Sequence, residues 1–358
     1  MRHGLPSVID GWFAVAYSHE VPPGSLRAID YMGRPLVLFR TASGKIAAAD
    51  AHCPHLGASF AAMGRVEGER LVCGAHGFHF DCAGGCASAY GRPAPNVRLP
   101  IWHVHEQMGS IFVWYHRRDA APVWQLPTFD EPHWSELLGR SMQVATHPQE
   151  VVENAVDVGH FEGVHGLSES APGQLRIDGH RLSTSGSFTS RAVGRFERLR
   201  VSVNFKFDAF GLGLACSEAH FPRLDLRLRA FAAATPREDG TSDLRCWTQV
   251  FDAPGIAARV PLIGRAIPDE LARFLLGRLW STVFEQDFAK DVVYWSSKRY
   301  LARPSLARLD PYIGPYRKWA LQFYPMTSGQ RMRSLPIASA RGESTASLEL
   351  SSAFAERT

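Results

Sequence analysis

No apolar run in these 358 residues approaches the roughly 18 that a helix needs to cross a bilayer, so no membrane span is expected. The opening residues, Met1-Arg2-His3-Gly4-Leu5-Pro6, carry charge with no apolar stretch behind it. That pattern is not a secretory signal, and the expected address is the cytoplasm. Charge of one sign is scarce as well. Lys and Arg total 39 against 35 Asp and Glu, a net charge of +4, which implies no nucleic-acid or other polyanionic partner. Cysteine is sparse: six residues, two of them in the metal-type spacings described next, argue against a disulfide framework and for a reducing compartment. There is no internal repeat. What remains is ordinary for a globular protein, 45% apolar and 21% charged, in a chain long enough for two cores.

Against that background two half-sites stand out, Cys53-Pro54-His55 and Cys73-Gly74-Ala75-His76. Each supplies one thiolate and one imidazole. Two thiolates suit one iron of a [2Fe–2S] cluster and two imidazoles the other, the mixed ligation of a Rieske centre. Pro54 and Gly57 shape the first loop, and Gly74 and Gly77 the second, where backbone N–H groups must approach the cluster. The same four residues are also a zinc ligand set, but zinc fingers put both cysteines in one half and both histidines in the other. His52 and His79 miss the spacing and read as ordinary loop or strand histidines. Cys82 and Cys86 are three residues apart and read as small thiols beside the second loop, while Cys216 and Cys246 read as core residues.

From Trp12 to about Tyr115 short apolar runs alternate with turn residues: Trp12–Tyr17, Pro35–Phe39, Lys45–Ala49, Arg70–Cys73 and Ser110–Tyr115. This predicts a small antiparallel β domain over about residues 8–120, with the two half-sites on loops between strands. Prolines at 122, 127 and 132 mark a linker. A second domain is expected over 121–333, with a helical stretch near Glu150–Gly166. Strands follow at Leu182–Thr189, Arg195–Phe207, Ala219–Phe221, Leu224–Ala234 and Leu244–Asp252, then a long helix from about Asp269 to Tyr300. Residues 334–358 read as a loose tail. The fold class is α+β.

Within the helical stretch, Asn154, Asp157, His160 and His165 form the spacing N-x2-D-x2-H-x4-H. Two histidines with a distant carboxylate make the facial triad of a non-haem iron(II) oxygenase, which leaves coordination positions open. Residues five apart lie about 140° apart around a regular helix, so both histidines face one metal only if the helix is distorted or ends between them. Gly163 sits in that gap and eases the distortion. The alternative is two incidental helix histidines. For the carboxylate the late helix offers Glu285-Gln286-Asp287, with Asp287 preferred, Asp291 in reserve and Glu285 last.

These two motifs together resemble the catalytic subunit of the Rieske non-haem iron oxygenases, from about Trp12 to Tyr324. The resemblance implies an N-terminal antiparallel β Rieske domain and a C-terminal catalytic domain of helix-grip type, an antiparallel sheet flanked by helices. It implies that Cys53, His55, Cys73 and His76 hold the cluster and that His160, His165 and Asp287 hold a mononuclear Fe(2+). It casts Asp157 as a carboxylate bridging an iron histidine to a cluster histidine of the neighbouring subunit, and Asn154 as a polar residue near the iron. A narrower likeness rests on Val283-Phe-Glu-Gln-Asp-Phe288, Trp295-Ser-Ser-Lys298, Pro304, Leu306, Asp310, Arg317-Lys-Trp319 and Gln322-Phe-Tyr324. This is similar to the oxygenase component of 3-ketosteroid 9α-hydroxylase and to the cholesterol 7-desaturases. It implies a hydrophobic polycyclic substrate and a homotrimer. The chain departs from the commoner pattern in having Cys73-Gly-Ala-His76 rather than Cys-Pro-Tyr/Phe-His.

The expected activity is hydroxylation or desaturation of an unactivated C–H bond with O2. Electrons would come from NAD(P)H through a flavin/iron–sulfur reductase, or through a ferredoxin plus reductase. An aromatic substrate is the alternative within this class. An electron carrier or a redox-sensing protein is the alternative outside it; the D-x2-H-x4-H segment argues against the carrier, and substrate-dependent oxygen uptake with an added reductase separates the sensor from an oxygenase.

Overall fold

Among the described residues, short alternating strands broken by turn residues build four antiparallel sheets. The computed structural model describes residues 4–324, apart from 88–93, 95, 130–132, 192–199, 252–254, 256, 258–266 and 309. The expected tail, residues 334–358, lies outside the described residues.

The first part comprises β1 (Gly11–Tyr17), β2 (Leu26–Tyr31), β3 (Arg34–Arg40), β4 (Ile46–Asp50), one helical turn α1 (Phe60–Met63), β5 (Gly64–Glu67), β6 (Arg70–Cys73), β7 (His79–Phe80), β8 (Cys86–Ala87), β9 (Ile101–Trp102), β10 (Val104–Gln107) and β11 (Ser110–Tyr115). They form three sheets, ordered β1-β11-β10, β2-β3-β4-β9 and β5-β6-β7-β8. Two hairpins show why the breaks fall where they do. Met32-Gly33 (φ 51° and 76°) and Met108-Gly109 (φ 51° and 61°) each place two successive residues in the left-handed region. That backbone matches the twist of the flanking strands. The apolar runs at Trp12, Pro35, Arg70 and Ser110 lie in strands, and the one at Lys45 does so from Ile46 onward.

The second part holds β12 (Leu138–Val144), α2 (Pro148–Glu153), α3 (Val158–Gly163), β13 (Ser168–Asp178), β14 (Arg181–Arg191), β15 (Arg200–Phe210), β16 (Leu214–Phe221), β17 (Leu226–Pro236), β18 (Ser242–Val250), α4 (Asp269–Ser297) and α5 (Ile313–Ala320). Its strands form one seven-stranded antiparallel sheet, β12-β18-β17-β16-β15-β14-β13. The long helix α4 lies against it. Trp295, Phe284 and Phe288 pack on Val144, Leu244 and Cys246, and Ala272 packs on Leu228 and Val250. The chain is thus α+β, as its sequence implies.

The two edge strands, β12 and β13, are absent from the sequence expectation. β13 contains Pro172 and Gly173, which count against a strand, and its pairing with β14 shifts register twice, between Ser168 and Ala171 and between Pro172 and Leu175. An edge strand tolerates both features. β12 is largely exposed and polar, so it carries no period-two signal. The helical stretch near 150–166 is likewise two short helices. Pro148 opens α2 and His147 caps it, Nδ1 accepting from the Gln149 N–H at 3.1 Å. Asp157 then caps α3.

Strand β1 joins the parts. Its pairing with β11 bulges between Ala14 and Ala16, which frees carbonyl groups from the ladder. Ala14 O accepts from Arg245 Nη1 (2.8 Å) and Thr235 Oγ1 (2.7 Å), and Val15 O from Arg245 Nη2 (2.8 Å). Around these bonds Trp12, Trp114, Phe210 and Trp247 share one apolar core. A second core unites Phe13, Leu36 and Val113 with Val152, Leu182 and Tyr316.

Candidate metal centres and substrate pocket

The two half-sites sit on loops of matching construction. In the first, Cys53 N–H donates to Ala58 O (2.8 Å) and Cys53 O accepts from Gly57 N–H (2.8 Å). In the second, Cys73 N–H donates to Phe78 O and Cys73 O accepts from Gly77 N–H, both at 2.9 Å. Gly57 and Gly77 both have positive φ, 79° and 65°, as so tight a closure requires. The departure at Gly74 has a steric cause. Its N–H bonds Met63 O at 2.8 Å, and a Cβ there would lie 2.4 Å from that same oxygen. Proline would lose the bond and meet the clash.

Both cysteines are buried, His55 is half-buried and His76 is exposed. The imidazoles of His55 and His76 meet edge to face, centroids 4.8 Å apart. Burial pushes the Cys53 thiol up to about 11, against the pull of the His55 backbone N–H and with a further push from the Cys73 thiol beside it. His55 Nδ1 is buried without a hydrogen-bond partner. Two adjoining buried thiols and an orphaned imidazole nitrogen next to a second imidazole fit a [2Fe–2S] cluster. Cys82 and Cys86 are half-buried free thiols outside this arrangement, and Cys216 and Cys246 are buried in the sheet.

The second candidate centre gathers His160, His165 and Asp291, whose ligand-type atoms all lie within 4.8 Å of one another. His160 sits on α3. Its backbone N–H donates to Asp157 Oδ1 at 3.2 Å, and its Nδ1 meets the Asp157 backbone carbonyl in a short contact, which turns Nε2 toward Asp291. The helix ends at Gly163, so His165 lies beyond it and escapes the 140° offset of a regular helix. His165 Nε2 lies 3.1 Å from Asp291 Oδ1. That oxygen also accepts from Asn154 Nδ2 at 3.0 Å, and Asn154 Oδ1 accepts from Trp295 Nε1 at 3.0 Å.

Asp291, not Asp287, completes this cluster, which corrects the expectation drawn from the sequence. Both acids ride on α4 one turn apart. Only Asp291 sits at the depth of Asn154 and His160, where it is 7% exposed. Asp287 bonds Lys290 Nζ at 2.8 Å and stands 3.9 Å from the outer nitrogen of His165, Nδ1. Glu285 accepts from Ser281 at 3.2 Å and pairs with Arg140, away from the histidines. The expectation for Asp157 also changes in detail. Within the chain the carbonyl of Asp157, rather than its carboxylate, meets His160 Nδ1.

The electrostatics suit a bound cation. Burial pulls His165 down, yet Asp287 and Asp291 outweigh it and hold the imidazole at about 9. Burial lowers His160, with Asp157 and Asp291 opposing. Two imidazoles and one carboxylate with open sides form the donor set of a non-haem Fe(2+) site.

Sequence reasoning missed what stands behind the cluster. Glu153, at the end of α2, is gripped by Arg317 on α5 (Nε–Oε2 2.7 Å, Nη2–Oε1 2.9 Å) and by Lys298 just past α4 (2.9 Å). Lys298 also pairs with Glu150 at 2.7 Å. Trp295, Lys298 and Arg317 were visible only as part of a likeness, with no role attached.

The cluster opens into a cavity of about 1090 Å³, counting its open mouth. Its walls are chiefly aromatic rings and alanines, among them Phe161, Phe205, Phe231, Phe284 and Trp280. Such a surface excludes water and takes a large apolar ligand.

Comparison with known proteins agrees with this geometry. Residues 11–102 match the Rieske [2Fe-2S] domain, and residues 113–324 match the 3-Ketosteroid 9alpha-hydroxylase C-terminal domain. The chain belongs to the Rieske oxygenases defined by that C-terminal domain, and is an oxidoreductase. It is 28% identical over 343 residues to cholesterol 7-desaturase nvd of Bombyx mori, spanning 89% of this chain and 70% of that protein. It is 26% identical over 333 residues to the probable 3-ketosteroid-9-alpha-monooxygenase oxygenase component of Rhodococcus rhodochrous, spanning 88% and 79%. Among solved structures, Pseudomonas putida CBB5 NdmA with caffeine aligns with TM-score 0.63 at 16% identity, over 87% of this chain and 89% of that one. Dicamba monooxygenase bound to dicamba aligns with TM-score 0.60 at 15% identity, over 87% and 96%. At such identities the structures establish the fold alone. The Rieske domain implies a [2Fe–2S] cluster. Among the described residues, no helix is long and apolar enough to cross a membrane.

Proposed function

We propose that this chain is the oxygenase component of a cytoplasmic Rieske system that hydroxylates or desaturates a steroid-like molecule with O2. The observation that carries this reading is the His160–His165–Asp291 cluster facing a large apolar cavity. Cys53, Cys73, His55 and His76 would hold the [2Fe–2S] cluster, and His160, His165 and Asp291 the mononuclear Fe(2+). When bound, these groups supply single electrons and oxygen activation. The chain's own residues do the rest. Asn154 holds Asp291 in place, the Asp157 carbonyl fixes the ring of His160, and the aromatic walls seat the substrate and keep water out.

The relatives named for cholesterol and for a 3-ketosteroid support a polycyclic substrate. The name "oxygenase component" of one relative supports a separate electron donor, a flavin/iron–sulfur reductase fed by NAD(P)H or a ferredoxin plus reductase. A homotrimer arranged head to tail, with the cluster of one subunit beside the iron of the next, completes the reading. The test has two arms. Metal analysis distinguishes about three irons per chain from the two of an electron carrier. Oxygen uptake and product analysis with a reductase then follow a panel of steroids and small aromatic compounds. Two irons per chain, or turnover of the aromatic compounds alone, would overturn the proposal.

A further inference from the structure

The sheet closes one side of the cavity with a floor of small side chains. Along β16, Leu214, Cys216 and Glu218 share the far face: the first two pack in the core with Trp12, and Glu218 pairs with Arg229. Ala215, Ser217 and Ala219 alternate with them and therefore face the cavity, beside Ala230 and Ala232 of β17. Ser217 stands in the middle of this floor, directly opposite Ala230 on one side and Phe207 on the other. It is the one hydroxyl that lines the cavity, among the described residues. Its Oγ lies 3.5 Å from Ala230 O, far longer than the usual O–H···O distance of about 2.8 Å. The other polar side chains of the walls are engaged. Asn154 spends its amide on Asp291 and Trp295, Trp280 Nε1 donates to Arg229 O at 3.1 Å, and Asp287 bonds Lys290. His160, His165 and Asp291 form the candidate iron site.

We infer that Ser217 anchors a ring oxygen of the substrate and thereby determines which carbon faces the iron site. The inference rests on the steroid reading above and goes one step further, to the polar group the substrate carries and the residue that holds it. A serine hydroxyl donates one hydrogen bond and accepts two. It donates to a ketone, or accepts from a hydroxyl while its own proton stays toward Ala230 O. Either oxygen gives Oγ a short bond where it has only a long one. A molecule with hydrogen at that position covers Oγ with carbon and leaves it the 3.5 Å contact alone. The alanines and aromatic rings around Ser217 bury apolar surface without regard to direction. They hold a flat fused-ring body, yet do not fix how far it slides along the floor or which end points at Asp291. A single polar group at one place on the floor does both.

The experiment uses the holoenzyme and three steroids of one skeleton that differ at a single carbon: 3-hydroxy, 3-keto and 3-deoxy, the position named for the ketosteroid relative. Binding is followed by the fluorescence of the protein, in which Trp280 and Trp295 line the cavity. The products are identified alongside. The wild type is expected to bind each oxygenated steroid about three- to tenfold more tightly than the deoxy one, the worth of one hydrogen bond, and to attack one carbon. Ser217→Ala completes a floor already made of alanine, so the fold is not at stake. It is expected to bring both ratios close to one and to spread turnover over more than one carbon. A wild type that binds the deoxy steroid as well as either of the others overturns the inference. So does Ser217→Ala with the wild-type ratios, or with a single product at the wild-type carbon. If none of the three binds, the steroid reading itself falls. If all three bind with equal affinity, that reading stands and only the role of Ser217 is lost.

Discussion

Asn154 donates from Nδ2 to Oδ1 of Asp291 across 3.0 Å, and that same oxygen lies 3.1 Å from Nε2 of His165. The amide has only one orientation open to it. The indole of Trp295 can donate but not accept, so it claims Asn154 Oδ1 and leaves Nδ2 for the carboxylate. Asn154 thus sets the position of Asp291 without itself needing to bind metal.

Asn154→Ala is expected to weaken iron binding by about 10–100-fold, the usual cost of losing a partner that orients a ligand. The visible spectrum of the cluster should not change. Titration of Fe(2+) into metal-depleted protein measures the affinity. An affinity equal to that of the wild type would leave Asn154 without this role.

The neighbouring acids separate more sharply. Asp291→Ala should lose the third iron and all turnover. Asp287→Ala should keep the iron, because Asp287 is half exposed and approaches only the outer nitrogen of His165. Metal content per chain and product yield read both variants. An Asp287→Ala protein with two irons, beside an Asp291→Ala protein with three, would reverse the choice.

The choice between Asp287 and Asp291 marks the limit of what the sequence could say. Ligands close together in the chain, such as Cys53 with His55 and His160 with His165, announce themselves by spacing. The end of α3 at Gly163 was required by that spacing and is present. A carboxylate from a distant helix has no such spacing to betray it. Which of two acids one turn apart reaches the histidines depends on how α4 sits against the sheet. The central strands were legible for a similar reason, since burial of one face imposes alternation. The edges β12 and β13 bury little and showed no pattern. The clamp on Glu153 comes from residues 145 and 164 positions away, and only the folded chain brings them together.

That clamp carries a stability prediction. Glu153 is 2% exposed, and burial of its carboxylate is outweighed by Arg317 and Lys298, which hold it below the usual carboxylate range. Removing Arg317 leaves the buried carboxylate with Lys298 alone, a cation it shares with Glu150. Arg317→Ala is therefore expected to cost about 3 kcal/mol in urea unfolding, the low end for breaking a buried pair. The same change loosens α5 on α2, the helix that leads into Asn154, although Tyr316 still donates from its hydroxyl to Gln149 O. A loss below about 1 kcal/mol would show that solvent screens the pair as it does on a surface.

Gly74 tests the second cluster loop. Its Cβ position lies 2.4 Å from Met63 O, a backbone atom at the end of α1 that cannot swing aside. Gly74→Ala must therefore push the loop away from α1 and displace Cys73 with it. The expected result is a lowered yield of cluster and a lower melting temperature, while iron still binds at His160, His165 and Asp291. Gly74→Pro should be worse, because the 2.8 Å bond from its N–H is lost as well. Full cluster content in Gly74→Pro would mean that the loop has room this structure does not show.

Asp157 offers the most informative single substitution. Its side chain caps α3 through the backbone N–H of His160, and its carbonyl fixes the ring of the same residue. Asparagine is as good a cap as aspartate, and the carbonyl belongs to the backbone. Asp157→Asn should therefore keep α3, both metal sites and the substrate cavity, with a melting temperature close to that of the wild type. Asp157→Ala, by contrast, should cost about 1 kcal/mol through loss of the cap. What asparagine removes is the negative charge. If the carboxylate reaches a cluster histidine, His55 or His76, of the next subunit in a head-to-tail ring, that charge favours both imidazoles and couples the two centres. Product formation in Asp157→Asn should then fall close to zero while the metal content stays whole. Single-turnover kinetics measures the transfer, and the mass in solution measures the ring. Wild-type transfer rates in Asp157→Asn, or a monomer with full activity, would exclude this route and confine Asp157 to capping its own helix.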